Sequence, residues 1–458
     1  MHHPRIFVAV AFVAAALTGC KSLSIDQELE QAGQRIHPRV GFTPEWSEDW
    51  TEYNVTADLV RPLTVEEAVR VAVHNHSSIR ARLAYLAERR ADLVQAGLLP
   101  NPVVTLAFGI PMDDGGGQPQ MHGLMQDVAA LWKRPSRIAA ADAELRAALL
   151  ELCDAVVEIA ASVKRGMAEL HHAQRRHALS SREAELLGER ARLIQERESA
   201  GESTRLQVYA AQADMGAARL REIDDRARIG VARRVLLERL GVSARTLDAA
   251  SYDFSTLPPA GDPVPTEHEV IRLIASHRLD VVAAFAIADA SESRRVLAAH
   301  GRWPDVKLGA AYNRNFEDRD GLGPAAAVSV PVFDTGRTGV ARARAARDRN
   351  LAEARRQLGD AVAEARIAHV KLTEASERRA SLENDLVAPR RDEEQVAREV
   401  YLAGEGTRTS VLEREAARLE AERRLEDAVL QTRLARHDLW RAVGGSFEPL
   451  DEDEEVEP

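Results

Sequence analysis

Cysteine is nearly absent from this chain of 458 residues, and aromatic residues are few. Two cysteines, Cys20 and Cys153, exclude a disulfide framework and a cysteine-based zinc site. Aromatic residues make up 4% of the chain and charged residues 29%, a composition typical of long helices rather than of a compact enzyme core. Basic excess is missing too, since the net charge is −11, which argues against nucleic acid as the main partner. Beyond residue 20, no apolar run approaches the length of a membrane-spanning helix.

The first twenty residues have the pattern of an export signal. Arg5 precedes an apolar stretch at 6–17 that is too short to span a membrane as a helix. Leu-Thr-Gly-Cys at 17–20 resembles the lipobox of bacterial lipoproteins, so we predict a lipoprotein signal peptide at 1–20 and lipidation of Cys20. A plain signal peptide with an incidental cysteine is the alternative. Lys21, where an acidic residue would favour retention in the inner membrane, indicates the outer membrane.

The remainder of the chain contains two copies of one plan. Ala-Gly-Glu-Ser-Thr-Arg at 200–205 recurs as Ala-Gly-Glu-Gly-Thr-Arg at 403–408, and residues 63–81 align with 265–283 at nearly the same offset. A proline-rich stretch between the copies predicts a linker. The predicted organisation is an N-terminal extension at 21–62, a first repeat at 63–256, the linker at 257–265, a second repeat at 266–446 and an acidic disordered tail at 447–458.

Each repeat predicts the same order of helices and strands. A first helix is predicted over 64–97 in the first repeat and about 266–301 in the second, and the former begins at a capping box of Thr64 and Glu67. After two strands, apolar residues at seven-residue spacing predict a long helix with coiled-coil packing, over 136–199 and 338–402. At 1.5 Å per residue the former is about 96 Å long. A glycine turn then reverses the chain into a returning helix, and we expect Pro389 to kink the second long helix.

The strands are predicted at about 102–112, 120–132, 304–316 and 323–333. Apolar residues alternate in them with small or polar residues, as in strands of a membrane barrel. We expect Leu106, Phe108, Leu308 and Val330 to face lipid and Thr105 and Gly309 to face a lumen, while the faces of the second strand stay open. Two ordinary hairpins that cap a helical bundle are the alternative. Four strands cannot close a barrel, and open edges are unsatisfied in lipid, so three chains are expected to contribute twelve strands.

These features resemble the TolC-like outer-membrane factor family, also called outer membrane efflux proteins, over nearly the whole mature chain. Besides the two-fold repeat, the resemblance rests on Leu-Thr-Val-Glu-Glu-Ala at 63–68, Gly-Leu-Leu-Pro-Asn-Pro at 97–102, Val-Pro-Val-Phe-Asp-Thr-Gly-Arg at 330–337 and Gly-Thr-Arg-Thr at 406–409. The stretch at 97–102 is most similar to the outer-membrane components of cobalt–zinc–cadmium-type cation efflux systems. The chain departs from the family pattern at Pro135 and Ser136, where a Gly-Lys-Arg-like turn is more usual.

The resemblance implies a mainly α fold with a small membrane β part. Duplicated long-helix hairpins would form a periplasmic α-barrel, and four strands per chain would contribute to a twelve-stranded trimeric β-barrel. The implied protein is a homotrimer, lipid-anchored in the outer membrane with a long periplasmic extension. Its implied partners are outer-membrane lipid, a periplasmic adaptor (membrane fusion protein) and an inner-membrane pump, often of the resistance-nodulation-division type.

The implied function is the passive exit duct of a tripartite efflux system, which conducts heavy-metal cations or drugs. A lipid-anchored periplasmic coiled-coil scaffold without a channel is the alternative. No catalytic residue, cofactor or nucleic-acid partner is expected. Five histidines, at 74, 76, 171, 172 and 177, are interpreted as polar helix positions rather than metal ligands, because no acidic or cysteine partner repeats at ligand spacing. Cys153 is expected to be a small buried hydrophobe.

The hairpin turns hold the candidate functional residues. In the family this end of the molecule meets the adaptor and narrows the tunnel. The resemblance thereby assigns adaptor docking to Gly201, Thr204, Val208, Gly404, Thr407, Val411 and Leu412. Arg408 and Glu413 are the gate candidates, because a ring of carboxylates attracts cations and an arginine can close a mouth through a salt bridge. Simple solvation of a hairpin end is the alternative.

Overall fold

The computed structural model describes residues 23–46, 62–110, 118–242, 251–315, 317, 319–330 and 332–447. Cys20 and the predicted signal peptide lie outside these residues, as does the predicted acidic tail beyond residue 447. Lipidation therefore stays a prediction from the sequence.

The described residues form ten α-helices, one π-helical turn and four strands. The first repeat contributes α2 (Val65–Asn75), α3 (Ser77–Gly97), β1 (Val103–Phe108), β2 (Gln120–Asp127), α4 (Ala129–Ser199) and α5 (Arg205–Leu240), preceded by α1 (Asp26–Val40). The second repeat contributes α6 (Glu267–His277), α7 (Leu279–His300), β3 (Val306–Arg314), β4 (Asp320–Val328), α8 (Arg337–Ser381), the π-helical turn Leu382–Val387, α9 (Ala388–Leu402) and α10 (Arg408–Ala442). The mainly α fold with duplicated hairpins is thus confirmed.

The first helix of each repeat is broken, although the sequence predicts one continuous helix. The predicted capping box of Thr64 and Glu67 is present, and Thr266 and Glu269 repeat it. His76, however, has ψ 129° and ends α2, and Arg278 has ψ 96° and ends α6. Extended backbone at these residues is incompatible with a continuing α-helix. The prediction of single helices over 64–97 and 266–301 is therefore wrong at the same place in both repeats.

A glycine from the end of each returning helix packs against each break. Gly241 follows α5 with φ 67°, and a Cβ atom built on it would lie 2.7 Å from the Cα of His76. Gly444 follows α10 with φ 93°, and its Cβ would lie 2.3 Å from the carbonyl oxygen of His277. Only glycine accommodates both the left-handed backbone and this close approach. The breaks are thus held by contacts between residues far apart in sequence, which explains why local signals miss them.

The two long helices differ from their predicted limits and from each other. Helix α4 begins at Ala129 rather than at residue 136, because the carboxylate of Asp127 accepts a hydrogen bond from the backbone N–H of Ala130 at 3.2 Å. Pro135 lies inside this helix. The second long helix is interrupted just before Pro389, as predicted, and the interruption takes the form of the π-helical turn, in which the N–H of Ala388 donates to the carbonyl oxygen of Glu383.

The four strands form one antiparallel sheet in the order β1-β2-β3-β4. Each strand is shorter than its predicted range. Val330 lies beyond the last residue of β4, Val328, so its placement within a strand is wrong. Among the helices of the described residues, none is both long and apolar enough to cross a membrane.

The chain divides into two compact units, each built from both repeats. Among the described residues, the first comprises those within 23–29, 82–151 and 280–357, and it contains the sheet. The second comprises those within 30–81, 152–279 and 358–447, and it contains both hairpin turns. The candidate site therefore has two separate parts, the sheet and the turns.

Candidate functional site

One face of the sheet is apolar and exposed. Residues that pair directly in an antiparallel ladder share a face, and the register joins Leu106 to His122, His122 to Tyr312 and Tyr312 to Leu322. The large exposed side chains of this apolar face are Val104, Leu106, Phe108, Leu124, Leu308, Leu322 and Val328. In this single chain Leu322 is 80% exposed and Phe108 67%. The register also determines which side chains of β2 lie on each face, which the sequence left open.

The opposite face carries mostly small residues. The ladder joins Thr105 to Gly123, Gly123 to Ala311 and Ala311 to Gly323, and we call this the small-residue face. Thr105 and Gly309 lie on it, opposite Leu106 and Leu308, as the alternation predicted. Gly309 has a second constraint, because a Cβ atom there would lie 1.9 Å from the carbonyl oxygen of Leu124. No side chain fits at that position.

Aromatic residues of the apolar face gather at the end of the sheet farthest from the helices. The ring centroid of His122 lies 5.6 Å from that of Phe108 and 5.8 Å from that of Tyr312. The hydroxyl of Tyr312 donates to Asp320 at 2.7 Å, and Arg314 pairs with the same carboxylate. Apolar residues along the strands with amphipathic rings at their ends are the pattern of a strand that crosses a lipid layer.

The two hairpin turns have the predicted backbone. Gly201 has φ 78° and Gly404 has φ 79°, the left-handed region that favours glycine. Each returning helix then begins at a threonine. The hydroxyl of Thr204 accepts the N–H of Gln207 at 3.3 Å, and that of Thr407 accepts the N–H of Ser410 at 3.2 Å. Among the described residues, none beyond the two chain neighbours lies within 4 Å of a Cβ built on either glycine, so φ alone requires glycine there.

Three of the predicted docking residues are buried within the chain. Val208 packs with Ala191 and Ile194 of α4, and it is 7% exposed. Val411 and Leu412 are fully buried, the latter in a cluster with Leu186 of α4. Their assignment to a docking surface is wrong, because they hold the returning helices against α4 and have no surface left for a partner. Gly201, Thr204, Gly404 and Thr407 remain exposed.

Sequence reasoning missed the large apolar residues that the turns do expose. Leu206 is 77% exposed, Tyr209 65% and Leu402 76%. Leu206 and Tyr209 give α5 a second set of apolar positions beside the set that contains Val208, whereas an ordinary amphipathic helix has one apolar stripe. This second set is visible in the sequence, but spacing does not indicate which of the two sets is buried.

Of the two gate candidates, Arg408 forms an ion pair and Glu413 forms none within the described residues. The Nε of Arg408 donates to the carboxylate of Glu189 on α4 at 3.1 Å, and both side chains are partly exposed. Glu413 is exposed. The structure therefore gives the arginine a partner that the sequence did not indicate, and it leaves the glutamate on the surface.

The pair of Arg408 and Glu189 is the last of a series that joins α4 to α10 along their length. Arg182 pairs with Glu415 at 3.2 Å, and Arg423 lies 3.7 Å from Glu183. The remaining members are Glu158 with Arg441, Arg165 with Asp438 and Arg176 with Asp427. From Glu158 to Glu189 the residue number rises on α4 while it falls on α10, apart from the adjacent residues Arg182 and Glu183, whose partners are in the reverse order. The series therefore fixes the register of two antiparallel helices.

His172 belongs to this series of ion pairs. It is the member whose charge changes between about pH 5 and 8. Its Nε2 lies 3.3 Å from Asp427, and its Nδ1 lies 3.9 Å from Glu426. Burial acts to lower the pKa of His172, but these two carboxylates outweigh burial and raise the pKa above its ordinary value. His172 is thus a polar position on a long helix, as interpreted from the sequence, and it has two carboxylate neighbours on α10 that the sequence did not indicate. Elsewhere in the described residues, as here, no cluster of three or more His, Cys, Asp or Glu side chains is arranged to hold a metal ion.

Cys153 lies on α4 and is fully buried, as expected. Its thiol is 3.9 Å from the carbonyl oxygen of Ala32 on α1, and burial raises the pKa of this thiol to about 12. A thiol that stays protonated is a poor nucleophile. Cys153 is therefore a packing residue.

No protein-family model matches the chain. A similar protein is the cobalt-zinc-cadmium resistance protein CzcC of Cupriavidus metallidurans, 23% identical over 290 residues. That alignment covers 60% of this chain and 64% of CzcC, so the chain matches just under two thirds of the relative's length.

Two solved structures are similar over most of the chain. The outer-membrane channel OprN is 21% identical with a TM-score of 0.68, over 84% of this chain and 91% of OprN. The outer membrane protein VceC of Vibrio cholerae is 21% identical with a TM-score of 0.68, over 84% of this chain and 97% of VceC. The resemblance drawn from the sequence is therefore confirmed in the fold, and this chain has the fold of the TolC-like outer-membrane channels.

Proposed function

We propose that this protein is the outer-membrane exit duct of a tripartite efflux system and that it conducts its cargo passively. The observation that carries the proposal is the two-faced sheet. Exposed leucine, valine and phenylalanine side chains on one face favour lipid, and burying each would gain about 1.5–3 kcal/mol. The small-residue face leaves space for a water-filled lumen.

The open edges of the sheet support a homotrimer. Within the described residues, β1 and β4 each pair with one neighbour only, which leaves a row of backbone groups unpaired on each. In lipid such groups cost several kcal/mol each unless another strand satisfies them. Three copies supply twelve strands, enough to close a barrel, so the edge of one chain would pair with that of the next.

A second unpartnered surface on α5 supports the same assembly. Residues at alternating three- and four-residue spacing form a seam that is exposed except at the half-buried Gly216: Leu206, Tyr209, Ala213, Gly216, Leu220, Ile223, Ala227 and Gly230. Leu220 is 65% exposed and Ile223 57%. The other seam of the same helix, which includes Val208 and Ala211, is buried against α4. Coiled-coil spacing fits another helix, and a second copy of this chain supplies it in the proposed α-barrel.

The cargo and the partners follow from the relatives. CzcC is named for resistance to cobalt, zinc and cadmium, which supports heavy-metal cations as the cargo; drugs are the alternative class. A periplasmic adaptor at the hairpin turns and an inner-membrane pump, of the resistance-nodulation-division type, complete the proposed system. Lipidation at Cys20 would add an anchor to the outer membrane.

The alternative, a periplasmic scaffold on a lipid anchor, leaves the apolar face of the sheet without a role. The two functions are separated by extracting the protein from outer membranes and running it unheated and heated on a gel, then measuring conductance in planar bilayers. A heat-sensitive trimer with stepwise conductance supports the duct. A monomer that is soluble once the lipid anchor is removed, and that conducts nothing, supports the scaffold.

The seam on α5 supplies a matched pair of variants for this experiment. Leu220→Glu places a charge on the exposed seam and should abolish the trimer while leaving the helix content of the monomer unchanged. Arg226→Glu changes the charge of an exposed residue of the same helix that lies off the seam, and it should leave the trimer intact.

A further inference from the structure

The helix-proximal end of the sheet brings all of the strand–helix junctions together. The N–H of Ser329 donates to the carbonyl oxygen of Asp305 at 3.0 Å, and that of Val128 donates to Val306 at 3.0 Å. Lys133 of α4 pairs with Asp305 at 2.6 Å. A Cβ built on Gly336, next to the start of α8, would lie 3.1 Å from the Cγ of Arg302 at the end of α7. These contacts lie within the first compact unit and hold the junctions next to one another.

Large aromatic side chains at these junctions point away from the protein. Trp303 is 67% exposed, Phe333 is fully exposed and Trp132 is 46% exposed. Aromatic side chains such as those of tryptophan and phenylalanine are largely apolar, and they concentrate at the interface between a lipid layer and water. Together with Phe108 and Tyr312 at the other end, they place rings at both ends of the apolar face.

Arginines lie close to two of these aromatic residues in the sequence, since Arg302 directly precedes Trp303 and Arg337 is four residues after Phe333. We use the name basic collar for Arg302, Arg337 and Arg344, which are exposed. Within the part of the chain that the structure describes, no carboxylate forms an ion pair with any of the three. Residues 337–357 hold seven arginines and two acidic residues, in a protein with a net charge of −11. Some of these arginines pair with carboxylates, as Arg347 does with Glu292 and Asp348, but the remaining positive charge favours an anionic partner.

The collar extends over about 10 Å along α8, slightly more than the thickness of one headgroup layer. Arg302 and Arg337 lie at neighbouring junctions, and Arg344 lies two turns along α8 on the face of Arg337, about 10 Å farther at 1.5 Å per residue. The headgroup layer of a bilayer is about 5–8 Å thick on each side of the hydrocarbon. Arginine reaches phosphate oxygens with two parallel N–H donors.

We propose that the basic collar, with Trp303 and Phe333, binds the headgroups of anionic phospholipids at the helix-proximal end of the sheet. The inference rests on the proposed function, since the sheet must lie in the outer membrane for the collar to meet lipid. The rings sit among the headgroups, and the guanidinium groups bind the phosphates beyond them. The collar thereby fixes the depth of the sheet in the membrane.

The test uses the full-length protein reconstituted in phosphatidylcholine that contains either brominated phosphatidylglycerol or brominated phosphatidylcholine. Bromine quenches the fluorescence of tryptophans that the lipid touches, and Trp132 and Trp303 lie at the collar. The ratio of quenching by the two lipids gives the preference for the anionic headgroup. We expect a clear preference for phosphatidylglycerol that falls as salt is added.

Matched variants assign the preference to the collar. Each cation beside an anionic surface contributes about fivefold to binding, so Arg302→Gln with Arg337→Gln should lower the preference by about 25-fold. Arg302→Lys with Arg337→Lys keeps the positive charge and should keep most of the preference for the anionic headgroup. Arg355→Gln is the control, because Arg355 is exposed on the same face of α8, five turns and about 27 Å beyond Arg337. It should change nothing.

Three results would contradict the proposal that the basic collar binds anionic headgroups. Equal quenching by both lipids in a wild-type protein that still conducts removes the headgroup preference. A glutamine pair that alters ion selectivity in planar bilayers but leaves the lipid preference intact places these arginines in the lumen. A wild-type protein that neither conducts nor has its tryptophans quenched by either lipid refutes the membrane-embedded sheet, and the collar with it.

Discussion

The glycine at the end of each returning helix allows a sharp test of what stabilises the breaks in the first helices of the repeats. Gly444→Ala forces a Cβ into a position 2.3 Å from the carbonyl oxygen of His277 and 2.5 Å from its carbon. The left-handed backbone at φ 93° costs a non-glycine residue about 1 kcal/mol. Overpacking against backbone, which cannot rotate away, costs about 1–3 kcal/mol more. We therefore expect the free energy of unfolding to fall by about 2–4 kcal/mol.

Gly201 separates the two costs. It has a similar φ of 78°, and no other residue lies within 4 Å of a Cβ built there. Gly201→Ala should accordingly cost only the conformational part, about 1 kcal/mol. The measurement is the urea concentration at half-unfolding in detergent, followed by circular dichroism of the helices. If Gly444→Ala is no more destabilised than Gly201→Ala, the close approach at Arg278 does not hold the break, and the reasoning fails.

Three further predictions concern the sheet, the series of ion pairs and the gate. An arginine in place of Leu106 should cost about 2–4 kcal/mol and reduce the yield of trimer, whereas one in place of Thr105 should be tolerated or alter conductance; equal damage contradicts the two faces. Because the pKa of His172 is raised, its contribution to stability is complete at pH values below its ordinary pKa and is lost as the pH rises through the raised one. Replacing it with glutamine should remove this pH dependence of the unfolding midpoint, and an unchanged profile would exclude it as the source. Arg408→Ala and Glu189→Gln should each raise conductance in planar bilayers if their pair holds the turns together, and a change from only one of them would contradict a shared role.

Local signals predicted the features that depend on neighbouring residues. The capping boxes at Thr64 and Thr266 and the left-handed glycines at Gly201 and Gly404 need only a few adjacent residues, and the structure contains all of them. The alternation of β1 and β3 likewise placed Leu106 and Leu308 on one face. The alternation of residue types predicts which side chains share a face, because successive side chains of a strand point to opposite faces and neighbouring strands share those faces.

What the sequence did not predict depends on distant residues. Val208 and Leu206 lie on two seams of one helix, both with coiled-coil spacing, and spacing alone does not indicate which seam meets α4. The helix breaks at His76 and Arg278 exist because remote glycines pack against them. Ion pairing between Arg408 and Glu189 joins residues that are far apart in the chain. The sequence contains both partners of each ion pair, but it does not show which residue of α4 lies opposite which residue of α10.

The π-helical turn before Pro389 has a consequence for how the two halves tolerate change in length. A residue added within a continuous α-helix rotates everything beyond it by about 100°, which would turn a buried seam toward solvent. A π-helical turn accommodates an extra residue by widening locally, so the faces on either side stay in phase. The second half thus has a place that absorbs a single inserted residue, and the unbroken helix α4 of the first half has none among its 71 residues.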